Sequence, residues 1–271
     1  MQLSRPARIA LRIAAGIGFA VIYVPLALVL VNSFNPDRSA SWPPPGWTAH
    51  WWSVAWENAG ARNALWVSVK AGLGATAIAL VLGTLIAFAV ARHRFFGRGA
   101  LSFVVVLPIA LPGIVTGIAL NSAFGTVLEP LGVGLGLFTV IVGHATFCIV
   151  VVFNNVVARL RRTSGTYEEA AMDLGADSFR AFVDVTFPLV RSALFAGALL
   201  AFALSFDEIV VTTFTAGPGI ETLPIWIFDN MTRPQQAPVV NVVAAVLVLL
   251  SVIPIYIAQR LSADTATESR I

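Results

Sequence analysis

Residues 64–91 read ALWVSVKAGLGATAIALVLGTLIAFAVA, and this stretch decides the class of fold. Lys70 is its single charged residue. A bilayer core of about 30 Å is crossed by roughly 20 apolar residues in a helix, so the stretch predicts a membrane-spanning helix. The whole chain of 271 residues is 58% hydrophobic and 11% charged. This composition excludes an ordinary soluble domain and indicates an integral membrane protein.

Five further stretches are long and apolar enough to span a bilayer, so we predict an all-α membrane protein with six transmembrane helices. The predicted spans are Ile9–Val31, Ala64–Ala91, Ala100–Ser122, Phe138–Ala158, Ser192–Val211 and Val239–Ala258. The first is too long for a signal peptide, so we expect an uncleaved anchor. Residues 1–63 should hold the first helix and an outer loop, residues 64–258 the transmembrane core, and residues 259–271 a cytoplasmic tail.

The distribution of arginine predicts the orientation of the chain. With the N-terminus in the cytoplasm, thirteen of the sixteen arginines lie in inner segments, and only Arg38, Arg62 and Arg233 lie outside. By the positive-inside rule, both termini are therefore cytoplasmic. Five of the seven tryptophans fall within residues 42–56. Because Trp favours the headgroup layer, we expect a short helix lying flat on the outer surface there.

The inner segment 159–191 is the most polar part of the chain. Its pattern predicts a helix from about Thr166 to Leu174, with acidic residues in the first turn facing the positive end of the helix dipole. Gly175 stands where a left-handed C-terminal cap is expected. Asp177 or Ser178 can cap a second short helix, which Pro188 is expected to end.

This segment resembles the EAA loop of bacterial ABC importer permeases, whose pattern is E-A-A-x3-G-x9-I-x-L-P. The chain keeps Glu169-Ala170-Ala171, Gly175 and the final proline at the same spacing, with Val and Phe at the two aliphatic positions. The resemblance implies the type I ABC importer permease fold and a coupling helix that docks on a separate ATPase subunit. The implied coupling residues are Glu168, Glu169, Ala170, Ala171, Asp173, Leu174 and Gly175.

A nucleotide site of the P-loop type requires a lysine after glycine, and Lys70 follows Val69. ATP hydrolysis is therefore expected on a partner, which would hold ATP and Mg²⁺, and no cofactor or metal is expected in this chain. His50, His93 and His144 are scattered, and Cys148 is the only cysteine. We also expect no enzymatic activity in the chain.

Ionisable residues within predicted spans are candidates for a substrate path, because they are costly in a membrane. Asp207 and Glu208 fall in the outer half of the fifth span, where adjacent helical residues point about 100° apart. One would face a central cavity, although an interfacial pair at a helix end is the alternative. Lys70 lies early in the second span; it either reaches back to the surface, pairs with an acid or contacts an anionic group of the substrate.

Prolines, glycines and polar residues predict local features of the chain. Pro108 and Pro112 should disturb the third span. The Gly217-Pro218-Gly219 run should break the chain into a re-entrant or outer-surface hairpin. Hydrogen bonding between helices is the expected role of the remaining polar groups, and packing that of Cys148. The polar residues are Asn121, His144, Asn154 and Asn155.

The string Ser205-Phe206-Asp207-Glu208 and the turn at Thr222-Leu223-Pro224-Ile225 resemble the spermidine/putrescine permease branch, of the PotC type. The likeness implies that Asp207 and Glu208 guide a cation, with Ser205 and Trp51 or Trp52 as secondary contacts. Several polyamine members carry an acid where this chain has Gly113. An importer for 2-aminoethylphosphonate, another amine or ferric iron therefore stays open.

The same likeness implies a heteromer in the bacterial inner membrane. Its other components would be a second permease, two copies of an ATPase and an extracytoplasmic solute-binding protein, with membrane lipid around it and no nucleic acid. Two other classes fit less well. An ion-coupled secondary transporter would need acidic residues in two internal repeats, which the sequence does not show. A membrane enzyme would need a metal-binding or nucleophile motif, which the sequence also does not show.

Overall fold

The computed structural model describes residues 4–39 and 41–250, and these residues are helical with no β-strand among them. Five helical segments in this part are long and apolar enough to cross a membrane: Arg5–Asn32, Ala59–Arg92, Gly113–Leu131, Leu137–Arg162 and Ser178–Phe206. In chain order the helices are α1 (Arg5–Asn32), α2 (His50–Glu57), α3 (Ala59–Arg92), α4 (Arg98–Ala110), α5 (Gly113–Val127), α6 (Leu137–Arg162), α7 (Thr166–Asp173), α8 (Ser178–Ala181), α9 (Phe187–Phe206), α10 (Val210–Thr215), α11 (Leu223–Asn230) and α12 (Ala237–Leu250).

The third predicted span is divided rather than continuous. Helix α4 ends at Ala110, and Leu111 is extended with φ −83° and ψ 146°. Proline disfavours the helical conformation of the residue before it, which explains the break at Leu111. Pro112 then caps α5, where its missing N–H costs nothing. The predicted disturbance is confirmed, and the prediction of one helix over Ala100–Ser122 is wrong.

The sixth predicted span is only partly described. Its first part is α12, which is apolar. The remainder of Val239–Ala258 and the tail 259–271 lie outside the described residues.

The chain divides into two compact units, residues 63–226 and residues 1–62 with 227–271. In the first unit, α6 is central, and its buried side chains include Val152, Val156 and Leu160. Helix α3 brings alanines against this core. At Gly83 a Cβ atom would lie 2.9 Å from the carbonyl oxygen of Ile149, so the two backbones approach as closely as glycine allows.

The second unit contains α1, the outer loop and α2. The indole of Trp51 donates to the carbonyl oxygen of Asn35 at 3.0 Å, which ties α2 to the loop. Hydrogen bonds from Ser41 and Ser39 lower the pKa of Asp37 in this loop to about 2. The predicted short helix is present as α2, while no residue of α1 is buried within the described chain.

Candidate functional site

The predicted helix of the polar segment is present as α7, and it ends as its sequence requires. Gly175 has φ +92°, a left-handed conformation that favours glycine. Its N–H donates to the carbonyl of Met172 at 2.9 Å, and the N–H of Ala176 donates to that of Ala171 at 3.0 Å. These two bonds form a Schellman cap, so the predicted cap at Gly175 is confirmed.

After the cap, the chain enters a second helix whose beginning follows the prediction and whose end does not. The carboxylate of Asp177 accepts from the N–H of Arg180 at 2.8 Å, so Asp177 is the N-cap of α8. Pro188 does not end this helix. Residues Phe182–Thr186 form a π-turn that leads directly into α9, and Ser178–Phe206 is one continuous helix of 29 residues. The π-turn is wider than an α-helical turn, so the helix accommodates the ring of Pro188 and the absence of its N–H.

The surface of α7 and its cap combines acidic, small and apolar side chains. Glu169, Ala170 and Asp173 are exposed. Leu174 is 90% exposed and Phe179 is 75% exposed. Large apolar side chains this exposed are unusual on a polar segment.

Glu168 differs from its neighbour Glu169 because it turns back toward the membrane helices. Its Oε1 atom accepts from Nη2 of Arg92 at 2.9 Å and from Nε at 3.2 Å. Of the two acids in the first turn of α7, Glu169 is therefore the one presented outward.

Asp207 and Glu208 lie in a break between two helices. Asp207 is the C-cap of α9, and α10 begins at Val210. The prediction that both acids sit on one continuous helix is wrong. The carboxylate of Glu208 accepts from the N–H of Val211 at 2.8 Å and so caps α10. Asp207 is exposed, and no side-chain hydrogen bond or ion pair within the described chain engages its carboxylate. At the break, therefore, the carboxylate of Glu208 caps a helix, whereas that of Asp207 is engaged by no side chain of the described residues.

A buried histidine bridges this break. The ring of His144 on α6 lies 2.7 Å from the hydroxyl of Ser205 and 2.8 Å from that of Thr212. The Thr212 hydroxyl donates its proton to the carbonyl of Glu208 at 2.8 Å, so it accepts from Nε2–H of His144. Nδ1 forms its hydrogen bond with the hydroxyl of Ser205. His144 thus joins the ends of α9 and α10, which confirms its predicted role between helices.

A further helix, α5, holds α10 in place. Nδ2 of Asn121 on α5 donates to the carbonyl of Phe214 at 2.7 Å. Gly117 faces the ring of Phe214 at a distance that leaves no room for a Cβ. At Gly113, by contrast, a Cβ would meet Val210 at 3.5 Å, an ordinary van der Waals distance. A side chain can therefore be added beside the first residue of α10 at Gly113.

The other residues predicted for the substrate path have different surroundings. Ser205 is buried and its hydroxyl is engaged by His144. Lys70 is exposed on α3 and makes no hydrogen bond or ion pair within the described chain. Trp52 belongs to the unit that contains α1, where its ring stacks on Phe34 at 5.3 Å. Within residues 63–226 the structure brings Ser205, Asp207 and Glu208 into one turn but does not join Lys70 to them.

Neither Arg92 nor Thr212 was predicted from the sequence to have a role. Arg92 precedes Glu168 by 76 positions, and only the packing of α3 against α6 brings them together. The available signal was weak, since Arg92 is the first of several cations that end a predicted span.

A family model described as the binding-protein-dependent transport system inner membrane component matches residues 79–266. The chain is 33% identical to the spermidine/putrescine transport system permease protein PotC of Escherichia coli (strain K12), over 91% of each chain. It is 32% identical to the putrescine transport system permease protein PotI of the same strain, over 85% of this chain and 83% of that one.

The chain is also 31% identical to a putative 2-aminoethylphosphonate transport system permease protein, PhnV of Salmonella typhimurium (strain LT2), over 92% of this chain and 96% of that one. Its fold is similar to a solved bacterial ABC transporter involved in the import of the acidic polysaccharide alginate, with a TM-score of 0.71 and 16% identity over 97% of this chain and 99% of that one. The residues matched by the family model include the capped α7 loop, and the chain belongs to the binding-protein-dependent transport system inner membrane components.

Proposed function

We propose that this chain forms part of the translocation path of an ATP-driven importer for polyamines, which it receives from an extracytoplasmic binding protein. Its similarity to PotC over 91% of both chains supports this substrate class. The exposed carboxylate of Asp207 at a helix break is the structural observation that carries the proposal, because a free acid in a predicted membrane segment suits a cationic solute.

The proposal assigns the energy source to a separate ATPase subunit. The exposed acidic and apolar surface of α7 and its cap supports docking in a groove of that subunit, since a short helix can present such side chains to a groove. The ATPase would hold ATP and Mg²⁺, and this chain would contribute no catalytic residue. A second permease and two ATPase copies would complete the complex.

Within this proposal Asp207 is the substrate contact and Glu208 a structural cap. A carboxylate and an ammonium group 4 Å apart attract each other by about 4 kcal/mol at the effective dielectric constant of a protein surface. Desolvation and counterions offset a large part of this attraction, so we expect Asp207→Asn to raise the KM for transport by roughly tenfold, or about 1.4 kcal/mol.

The test is ATP hydrolysis by the complete complex reconstituted in vesicles with its binding protein. Spermidine, putrescine, 2-aminoethylphosphonate and ferric iron would be titrated in parallel. We expect stimulation by a polyamine, weakened in Asp207→Asn and unchanged in Glu129→Gln, which removes an exposed acid from another predicted outer loop. Stimulation by the phosphonate alone would contradict the polyamine assignment, and the likeness to PhnV gives that outcome its basis.

A further inference from the structure

We propose that Arg92 is the positioning residue that transmits movement of α7 to the membrane helices, a role that rests on the proposed docking of α7 on an ATPase. Arg92 is the last residue of α3. Its guanidinium group contacts both α7 and the end of α6, so one side chain joins three helices.

The hydrogen bonds of Arg92 use both branches of the guanidinium group. Nε and Nη2 donate to Glu168 at 3.2 and 2.9 Å. Nη1 donates to the carbonyl of Thr163 at 3.0 Å and to that of Leu160 at 3.4 Å. Thr163 is the C-cap of α6, where carbonyl groups lack helical partners and a positive charge is favourable. A rigid planar fork can satisfy all of these acceptors together.

Helix α7 has few other ties to α3 and α6. It has 8 residues, none of them buried. A helix of that length is marginal in isolation. Among the described residues, the side-chain hydrogen bonds that join α7 to the membrane helices all come from Arg92. The side chains of Arg92 and Glu168 are 17% and 24% exposed, so water screens their ion pair only partly.

The contact leads directly to the core of the unit. Helix α6 carries Leu160 at its end and His144 in its middle, and His144 bridges the break that holds Asp207. A displacement of α7 is thus passed to α3 and α6 through Arg92. Without Arg92, α7 would lose its side-chain tie to α3 and α6.

The test compares Arg92→Gln, Glu168→Gln and the double variant in the complete importer, reconstituted with its ATPase and binding protein. We expect the ATPase to stay bound and the KM for spermidine to stay unchanged, whereas spermidine transported per ATP falls about tenfold, within the roughly 5- to 150-fold range of coupling between sites. The double variant should be no worse than Arg92→Gln, because that single variant has already lost the ion pair with Glu168.

Two controls separate this role from general damage. Arg94→Gln removes a nearby exposed cation and should transport normally. Arg92→Lys keeps the charge facing Glu168 but cannot reach all acceptors, so it should restore part of the transport. Normal transport per ATP in Arg92→Gln would overturn the inference, and so would loss of the ATPase from that complex, because Arg92 would then act on docking.

A separate variant tests the proposed docking on which this inference depends. Leu174→Asp places a charge on the exposed cap, away from Arg92. If this variant keeps its ATPase and transports normally, the docking surface is wrong whatever Arg92 does. If it loses the ATPase while Arg92→Gln behaves as wild type, only the transmission role fails.

Discussion

Replacement of Gly175 should separate the backbone requirement of the cap from its role in transport. Gly175 has φ +92°, and no atom lies within 4 Å of the position that a Cβ would take. The cost of Gly175→Ala is therefore conformational rather than steric. A non-glycine residue in the left-handed region costs roughly 1–2 kcal/mol. Relieving that strain locally would break the two hydrogen bonds that end α7.

Gly132 provides a matched control for this cost. It has φ +78° in a predicted outer loop and equally open surroundings. Both alanine variants should lower the melting temperature of the purified chain by a similar few degrees, on the scale of roughly 2–4 °C per kcal/mol for chains of this size. Only Gly175→Ala should lower transport per ATP in the reconstituted importer.

A proline variant increases the effect at the same position. Proline fixes φ near −65° and lacks the N–H that Gly175 donates to Met172, so Gly175→Pro should abolish transport while the membrane helices remain folded. Glu169→Lys should do the same by reversing the charge of the proposed docking surface. Equal transport by the Gly175→Ala and Gly132→Ala variants would refute the reasoning, since the cap would then be only a local turn.

Three further predictions concern the helix break, the surroundings of α10 and the approach of α3 to α6. His144→Leu removes both hydrogen bonds across the helix break and should destabilise the chain by about 1–3 kcal/mol in thermal unfolding. Ser205→Ala removes only one of these bonds and should destabilise the chain less. A larger loss of stability in Ser205→Ala than in His144→Leu would contradict the bridging role of His144. Gly113→Asp should fold normally, because a Cβ there meets only van der Waals contacts. In competition assays this variant should take up more spermidine relative to putrescine than the wild type does. A lower ratio of spermidine to putrescine uptake would argue against a cation path beside α10. Gly83→Ala should destabilise the chain by about 1–3 kcal/mol through overpacking on Ile149. Gly99→Ala places its methyl group in open space and should not destabilise the chain. Equal melting temperatures of these two variants would contradict the close approach of α3 and α6.

The sequence predicted the features that depend on local chemistry. Apolar length located the first, second and fourth spans, and the glycine after an acidic helix located the cap at Gly175, because both signals come from neighbouring residues. Pro112 showed where the third span is disturbed, although a complete break depends on Leu111 leaving the helical conformation. The coupling residues and the substrate role of Asp207 stay predictions.

The features that the sequence did not predict depend on distant contacts or on competition between neighbours. Pro188 looks like the end of a helix, but the π-turn before it lets the helix continue. Glu168 and Glu169 are chemically alike in sequence, and only Arg92 distinguishes them. Asp207 and Glu208 were distinguished in the same way, since the start of α10 engages one carboxylate and leaves the other free.

The continuous helix Ser178–Phe206 gives the molecule a stiff lever about 40 Å long. One end begins next to the cap of α7, and the other ends at Asp207. Because no loop interrupts this helix, a displacement of its first turn is expected to move its last turn as well. Its softest place is the π-turn Phe182–Thr186, where the hydrogen bonding is irregular. The helix should therefore bend most easily at this turn, and a substitution that stiffens the turn should change how a displacement beside α7 reaches Asp207 while leaving the proposed docking surface unchanged.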